Sequence, residues 1–289
     1  MSGQGRAGAV SRHKVGAIEI VSLGDGELDL AVTLFGDADP EERTRLARAA
    51  GLDGDTVPVA INTFAIRTAG RTLLVDAGSG TLRGPQEGFT GRALEAAGIA
   101  PDTVDAVLMT HMHGDHAGGL RLATGEAAFP RAELWLARAE AAYWSDPTLA
   151  GRMPDRAGPT IANAQGCMAA YADRIRLFDP GERVAPGVTA VALPGHTPGQ
   201  SGFLVEDAGE RLLIWADVVH VEAFQFARPE WTVGFDVDGA AAAATRARIF
   251  AEVAESGLPV AGMHLAFPGI GTVRREGGAY AFVAGSREA

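Results

Sequence analysis

Thr110-His111-Met112-His113-Gly114-Asp115-His116 places four potential metal ligands within six residues. Further residues of the same two types follow at wide intervals as His196, Asp217 and His264. Imidazole nitrogens and carboxylate oxygens are ligands of Zn²⁺ and similar divalent ions. A lone histidine is more often a core or capping residue, but seven ligands in one pattern predict a binuclear metal site. Two such ions can share a hydroxide that is nucleophilic at neutral pH, which indicates hydrolytic chemistry.

Each ligand group follows an apolar segment that has the length and composition of a buried strand. Residues 104–109 are apolar apart from Asp105 and run directly into the histidine cluster. The segments before the other ligands repeat this arrangement at residues 188–193, 212–216 and 259–263. We therefore expect all the ligands to meet at one edge of a sheet, where the strands end.

The remaining pattern alternates strands with helices and predicts an α/β fold. Strands are expected at residues 17–23, closed by a turn at residues 24–26, and at residues 59–68 and 72–75, joined by a tight turn. Helices are expected at residues 37–50 and 91–98, and a long one begins after the capping residue Asp238 and stops near Gly257. No repeat or linker divides the chain, so we expect a flexible N-terminus at residues 1–14 and a single domain at residues 15–289.

Composition limits the class of partner. The chain has 289 residues, is 47% hydrophobic and carries a formal net charge of -11, which disfavours nucleic-acid binding because that binding relies on clustered Lys and Arg. We expect a small-molecule substrate instead. No apolar run has the length of a signal peptide or a membrane span, and the single Cys167 fits a buried thiol, so a cytoplasmic protein without membrane contact is expected.

The motif His-x-His-x-Asp-His, matched by His111, His113, Asp115 and His116, resembles the signature of the metallo-β-lactamase superfamily. The resemblance extends over nearly the whole chain and implies an αββα sandwich with the metals at the sheet edge. It also implies two ligand sets, with His111, His113 and His196 on one ion and Asp115, His116 and His264 on the other. Asp217 would bridge the two ions. Zinc is favoured, and manganese, iron or cobalt would fit the same ligands.

Departures from other members of the superfamily argue against several of its subfamilies. Flavodiiron proteins carry Glu at the position of His113, and true β-lactamases lack the bridging aspartate that Asp217 provides. A single-iron persulfide dioxygenase does not fit the complete second ligand set. Glyoxalase II and the tRNA-processing nucleases stay open, although the acidic composition argues against a nuclease.

The C-terminal third resembles the methyl parathion hydrolase branch of the superfamily. The segments that carry this resemblance are residues 223–226 with Pro229, residues 261–271 and residues 275–283. It implies lactonases and aryl esterases with promiscuous phosphotriesterase activity, commonly as homodimers. Organophosphate hydrolysis and acyl-homoserine lactone hydrolysis are the alternatives, whereas a non-catalytic metal binder would require a lost ligand, and none is lost.

Substrate choice is predicted to depend on the chain that follows Asp217. His220 is expected to hydrogen-bond a lactone carbonyl or to protonate a leaving oxygen, and orienting a metal ligand is an equally open role. Phe226, Trp231 and Phe235 are expected to line the pocket, which favours an aryl ester or a benzo-fused lactone such as dihydrocoumarin; core or dimer packing is the alternative. Asp115 is the expected proton carrier.

Overall fold

The computed structural model describes residues 7–52, 54–82, 86–154 and 157–285. Fourteen strands lie in these residues: β1 Val10–Val15, β2 Ile18–Ala31, β3 Thr56–Thr68, β4 Arg71–Val75, β5 Ala106–Leu108, β6 Glu133–Ala137, β7 Ile175–Phe178, β8 Arg183–Ala185, β9 Val188–Ala192, β10 Ser201–Asp207, β11 Glu210–Ile214, β12 Val260–Ala261, β13 Ile270–Glu276 and β14 Ala279–Ala284. The α-helices are α1 Pro40–Ala49, α2 Thr90–Ala97, α3 Gly114–Ala117, α4 Arg138–Ser145, α5 Gly158–Ala170, α6 Glu222–Gln225 and α7 Gly239–Ser256.

The strands form two seven-stranded sheets. The first has the order β1 to β7, antiparallel from β1 to β4 and parallel from β4 to β7. The second has the order β14 to β8 and is antiparallel except for the parallel pair β11 and β12. In β5 all three side chains are buried, as expected for a parallel strand covered on both faces.

The hydrophobic core has layers that match an αββα sandwich. One buried cluster lies between the sheets and joins residues such as Ile66 and Val75 of the first sheet to Phe203 and Ile214 of the second. A second cluster packs α2 and α5 on the outer face of the first sheet, and a third packs α7 on the outer face of the second. The predicted αββα sandwich is confirmed.

Strand β2 corrects the predicted turn at residues 24–26. The strand continues to Ala31, and its register against β3 shifts between Gly24 and Gly26. Between the glycines, the buried carboxylate of Asp25 accepts hydrogen bonds from Ser79 and Gly88 N–H and from both donors of Thr90. The glycines therefore accommodate a β-bulge, which turns the Asp25 side chain towards these donors without ending the strand.

The N-terminal boundary also needs a correction. Residues 1–6 lie outside the described residues, but residues 10–14 of the segment predicted to be flexible belong to β1. They pair with β2 from Val10 opposite Leu23 to Val15 opposite Ile18, across a turn at Gly16 with φ +58°. This pairing covers the edge of β2, which is the physical reason for order so near the N-terminus.

Helix α7 confirms the predicted start and stop signals. The Asp238 carboxylate accepts a hydrogen bond from Ala241 N at 2.9 Å, and Gly257 ends the helix with a left-handed φ of +68°. No helix in the described parts of the chain combines the length and apolar character needed to cross a bilayer.

Arg246 of α7 is 1% exposed and fixes the chain segment that follows β11. Its Nε donates to Val218 O at 2.7 Å, and its Nη1 donates to Pro229 O at 2.6 Å and to Trp231 O at 2.9 Å. Burial lowers the pKa of Arg246 to about 10. The guanidinium thus satisfies three carbonyls of one long loop at once.

Replacing Arg246 with Met tests this role. We expect Arg246→Met to lower the free energy of unfolding by about 3 kcal/mol, because it leaves carbonyl oxygens in this loop without donors. Urea unfolding followed by circular dichroism measures the change.

Arg248→Met is the matched control, since Arg248 lies on the same helix but is exposed, donates to Ala192 O and forms a solvent-exposed ion pair with Glu252 at 3.7 Å. We expect a change of less than about 1 kcal/mol for it. Equal effects of the two substitutions would contradict the role of Arg246.

Candidate metal centre

All seven predicted ligands meet at the carboxyl ends of four strands. His111, His113, Asp115 and His116 follow β5, and His196 follows β9. Asp217 follows β11, and His264 follows β12. Because β5 belongs to the first sheet and the other three strands belong to the second, the site spans the end of the sandwich.

The first group consists of three histidines. His113 Nδ1 lies 3.1 Å from His111 Nε2 and 2.8 Å from His196 Nε2. These residues form one set whose ligand atoms all lie within 4.8 Å of one another. Desolvation lowers the pKa of His113 to about 3 and holds the pKa of His111 well below its ordinary value. The imidazoles of His111 and His113 are therefore neutral near pH 7, the form that binds a metal.

The second group consists of Asp115, His116 and His264, which form another such set. Asp115 Oδ2 lies 3.6 Å from Nε2 of His116 and 3.6 Å from Nε2 of His264. One carboxylate oxygen and two imidazole nitrogens are a ligand set suited to a divalent ion.

Asp217 lies between the two groups. Its Oδ1 is 3.2 Å from His116 Nε2, and its Oδ2 is 3.3 Å from His196 Nε2 and 3.1 Å from His264 Nε2. The preceding residue, Ala216, has a φ of +55°, which is unfavourable for a residue with a side chain. This turn brings the carboxylate between the two groups.

The outward-facing nitrogens of three ligands have fixed partners. His116 Nδ1 lies 2.7 Å from Asp76 Oδ2, His196 Nδ1 lies 2.8 Å from Asp236 Oδ1, and His264 Nδ1 lies 2.9 Å from Ala60 O. A donated Nδ1 proton leaves the Nε2 lone pair facing the centre. These partners were not predicted as site residues. Asp76 directly follows β4, and this position at a strand end could have identified it from the sequence. Nothing in the sequence links Asp236 to His196.

Several buried polar atoms of the site lie close to one another but form no hydrogen bond of acceptable geometry among the described residues. They are His116 Nε2, Asp217 Oδ1 and both ring nitrogens of His220. Buried polar atoms are nearly always satisfied, so a cluster of exceptions at one point requires an explanation. Nitrogen and oxygen lone pairs that share one small space fit a divalent metal ion.

His220 lies within the site. Its side chain is 4% exposed and stacks on the His264 ring with a centroid separation of 5.3 Å. Its Nε2 is 3.3 Å from Asp217 Oδ2, and it forms a further possible ligand set with His196 and Asp217. Burial lowers the pKa of His220 to about 4.

A cavity of about 640 Å³ opens over the ligands. Its described lining combines site residues with the aliphatic side chains of Leu28, Leu30, Leu34, Val59 and Met153. Phe235 also lines it, is 37% exposed and lies beside the His220 ring with a centroid separation of 5.7 Å, so its contact with substrate stays a prediction.

Phe226 and Trp231 do not line this cavity, which corrects their predicted role. Phe226 stacks on Phe250 at 4.9 Å, inside the core between the second sheet and α7. Trp231 packs against Phe224 in the buried cluster that also holds residues of α1. Both rings point into apolar cores because burial against other rings removes more apolar surface from water than a place at the cavity wall.

The pKa shifts predict a titration that departs from ordinary histidine behaviour. In metal-free protein, we expect His113 and His220 to stay neutral from pH 8 to pH 5.5, although a free imidazole gains its proton near pH 6.5. Desolvation of the charged ring is the cause. Long-range ¹H–¹⁵N spectra of the imidazoles measure this, and a midpoint near 6.5 for either residue would contradict it.

Comparison with known proteins gives one family match and several related folds. Residues 56–254 match the family model of the metallo-beta-lactamase superfamily. A curated relative, the atrochrysone carboxyl ACP thioesterase of Passalora fulva, is 29% identical over 161 residues, which is 55% of this chain. The match spans only 38% of the length of that relative.

Two solved structures are similar over almost the whole chain. The hydrolase AbOPH of the beta lactamase superfamily is 29% identical with a TM-score of 0.91, covering 97% of this chain and 98% of its own. AidC, a dizinc quorum-quenching lactonase in complex with a product, has a TM-score of 0.92 at 22% identity, covering 97% of this chain and 99% of its own, and therefore supports the fold alone.

The family match covers more than half of the chain and includes every predicted ligand except His264, which the structure brings to the same site. The chain belongs to the metallo-beta-lactamase superfamily.

Proposed function

We propose that this protein hydrolyses lactones or carboxylic esters with two divalent metal ions, zinc being the favoured metal. The observation that supports this most is a cavity of about 640 Å³ with both ligand groups at its floor and no lysine or arginine in its described lining. The AidC-like and AbOPH-like fold is consistent with such a hydrolase.

Charge supports a neutral substrate. Four aspartates occur in the described lining: Asp29, Asp115, Asp217 and Asp236. With a net charge of -11 on the whole chain, a nucleic acid or an acidic carrier protein would meet repulsion. A neutral lactone or ester would not, and for the same reason we do not carry the thioesterase activity of the curated relative over to this chain.

The proposed chemistry follows from the set of His and Asp residues that would bind the metal ions. Two bound divalent ions would polarise the carbonyl oxygen and make water nucleophilic near neutral pH. Asp115 is placed at the second group, where its carboxylate positions the nucleophile and carries its proton to the leaving oxygen. His220, whose Nε2 lies 3.3 Å from Asp217 Oδ2 and whose Nδ1 has no hydrogen-bond partner among the described residues, donates a hydrogen bond to the substrate oxygen.

The cavity wall bears on the acyl part of the substrate. The preference for a benzo-fused lactone depended on three rings, and of these only Phe235 contributes to the described lining. The aliphatic side chains of Leu28, Leu30 and Leu34 are complementary to an acyl chain. An acyl-homoserine lactone is therefore the second candidate substrate, beside dihydrocoumarin and simple aryl esters. Phosphotriester hydrolysis is proposed as a side activity, and a homodimer is proposed as the assembly.

A substrate panel tests the proposed function. We expect kcat/KM for dihydrocoumarin or N-hexanoyl-homoserine lactone to exceed that for a diethyl aryl phosphotriester by about 100-fold, because the cavity matches a planar carbonyl and an apolar chain. Activity should vanish after chelation and return with zinc, and elemental analysis should give two ions per chain.

The panel also distinguishes the alternatives. A phosphotriester as the best substrate would favour an organophosphate hydrolase, and a β-lactam as the best substrate would contradict the proposal. Size-exclusion chromatography with light scattering measures the assembly.

Two substitutions separate the proposed roles of Asp115 and His220. With activity expressed per bound metal, Asp115→Asn should lower kcat on every ester by about 100-fold or more, since it removes the proton carrier. His220→Leu should lower kcat on lactones by about 100-fold through loss of a donor to the substrate oxygen, while raising the relative rate on phosphotriesters.

His13→Leu is the control for histidine loss, because His13 lies on β1 and is not among the residues that line the cavity. It should change neither rate. Full turnover by Asp115→Asn with both ions bound would refute the role of Asp115 as proton carrier. Unchanged lactone hydrolysis in His220→Leu would refute the role of His220 as a donor to the substrate oxygen.

A further inference from the structure

Glu140 on α4 is a buried carboxylate that lies outside the ligand sets. It is 1% exposed, and burial raises its pKa. Its Oε1 accepts hydrogen bonds from Met112 N at 2.9 Å and from Trp144 Nε1 at 2.6 Å. Its Oε2 accepts from Thr197 Oγ1 at 2.7 Å and from Gly199 N at 3.2 Å. Four donors on one carboxylate offset the cost of removing it from water.

Three of the four donors belong to the loops that carry the three-histidine group. Met112 lies between His111 and His113, and Thr197 directly follows His196. The two loops come from different sheets, after β5 and after β9. Glu140 therefore links the two parts of this ligand group through its two carboxylate oxygens, alongside the backbone hydrogen bond from Ser201 N to Thr110 O.

The packing around Glu140 leaves little freedom for these loops. A Cβ added at Gly199 would lie 2.1 Å from Glu140 N, so the loop after His196 lies directly against α4. Trp144, held by the same carboxylate, places its ring edge-to-face with His113 at a centroid separation of 5.7 Å. A shift of the carboxylate would be passed to both loops.

The second ligand group is held by other partners. Asp76 accepts from His116 Nδ1 and also from both donors of Thr110, while Ala60 O receives the hydrogen bond of His264 Nδ1. None of the hydrogen bonds to Glu140 comes from Asp115, His116 or His264. Asp76 also reaches the first group, because Thr110 Oγ1 lies 3.1 Å from His111 Nδ1, whereas Glu140 accepts from the residues next to His111, His113 and His196 and from none of the second group.

We propose that Glu140 is a positioning residue that sets the spacing of His111, His113 and His196 and thereby the metal affinity of that half of the centre. The proposal rests on the two-ion centre proposed above. Glu140 is not among the residues that line the cavity, so it acts through the ligand loops and does not touch the substrate.

Glu140→Gln tests this directly, because glutamine keeps the shape but replaces one acceptor oxygen with an NH₂ group that faces N–H donors. We expect metal retention at the three-histidine group to weaken about 10- to 100-fold, with the Asp115, His116 and His264 group unchanged. Competition with a chelator measures the affinities, and anomalous diffraction assigns the lost ion. Asp76→Asn should weaken retention at the Asp115, His116 and His264 group as well, because Asp76 contacts His116 directly and His111 through Thr110.

A second pair of variants keeps Glu140 in place and guards against misfolding of Glu140→Gln. Thr197→Val and Trp144→Phe each remove one hydrogen bond to the carboxylate. Thr197 belongs to a ligand loop, whereas Trp144 does not, and phenylalanine at 144 keeps an aromatic ring beside His113. We expect Thr197→Val to weaken zinc retention at the three-histidine group and Trp144→Phe to change it less than about 3-fold. Thermal unfolding of the metal-free variants reports any general loss of stability.

The outcomes are distinct. Equal loss of both ions in Glu140→Gln, unchanged retention there, or equal effects of Thr197→Val and Trp144→Phe would overturn the proposal for Glu140. A wild-type protein that binds one ion, held by the three histidines, would refute the two-ion centre but leave this test intact. An ion that never occupies the three histidines would overturn both.

Discussion

The structure depends on one buried carboxylate that is surrounded by imidazoles. Asp217 is 4% exposed, and its oxygens lie within 3.3 Å of ring nitrogens of His116, His196, His220 and His264. Although burial opposes ionisation, the neighbouring histidines hold the pKa of Asp217 well below its usual range. So many polar groups can leave water only where they neutralise one another or share a metal ion.

The αββα sandwich supplies the place where this is possible. Strands pack their apolar faces against one another and leave their carboxyl ends at one edge, so that short loops from both sheets can meet there. Each loop is then fixed by groups behind it: Asp76 and Asp236 hold ligand rings, Arg246 holds the loop after Asp217, and Glu140 joins two loops. The same rigid supports leave the cavity above the ligands open and largely aliphatic on one side.

Prediction from sequence succeeded where the signal was local. Strand ends, the Asp238 cap, the Gly257 stop and the spacing of the ligands are properties of short segments, so periodicity and turn chemistry were sufficient to find them. Prediction failed where the local structure depends on contacts with residues far away in the sequence. Asp25 and Gly26 form a bulge because donors more than fifty residues away approach them, and β1 is ordered because β2 lies beside it.

The sequence by itself identified the seven His and Asp residues that meet at the candidate metal centre and the class of fold, because residue types and their positions after apolar segments carry that information. Only the tertiary structure decided which aromatic rings face the cavity, placing Phe235 there and Phe226 and Trp231 in cores. It also decided that Glu140 and Asp236 support the ligand loops. The physical reason is that burial and hydrogen-bond partners depend on which distant segments pack together, and the spacing of residues along a single chain does not encode this.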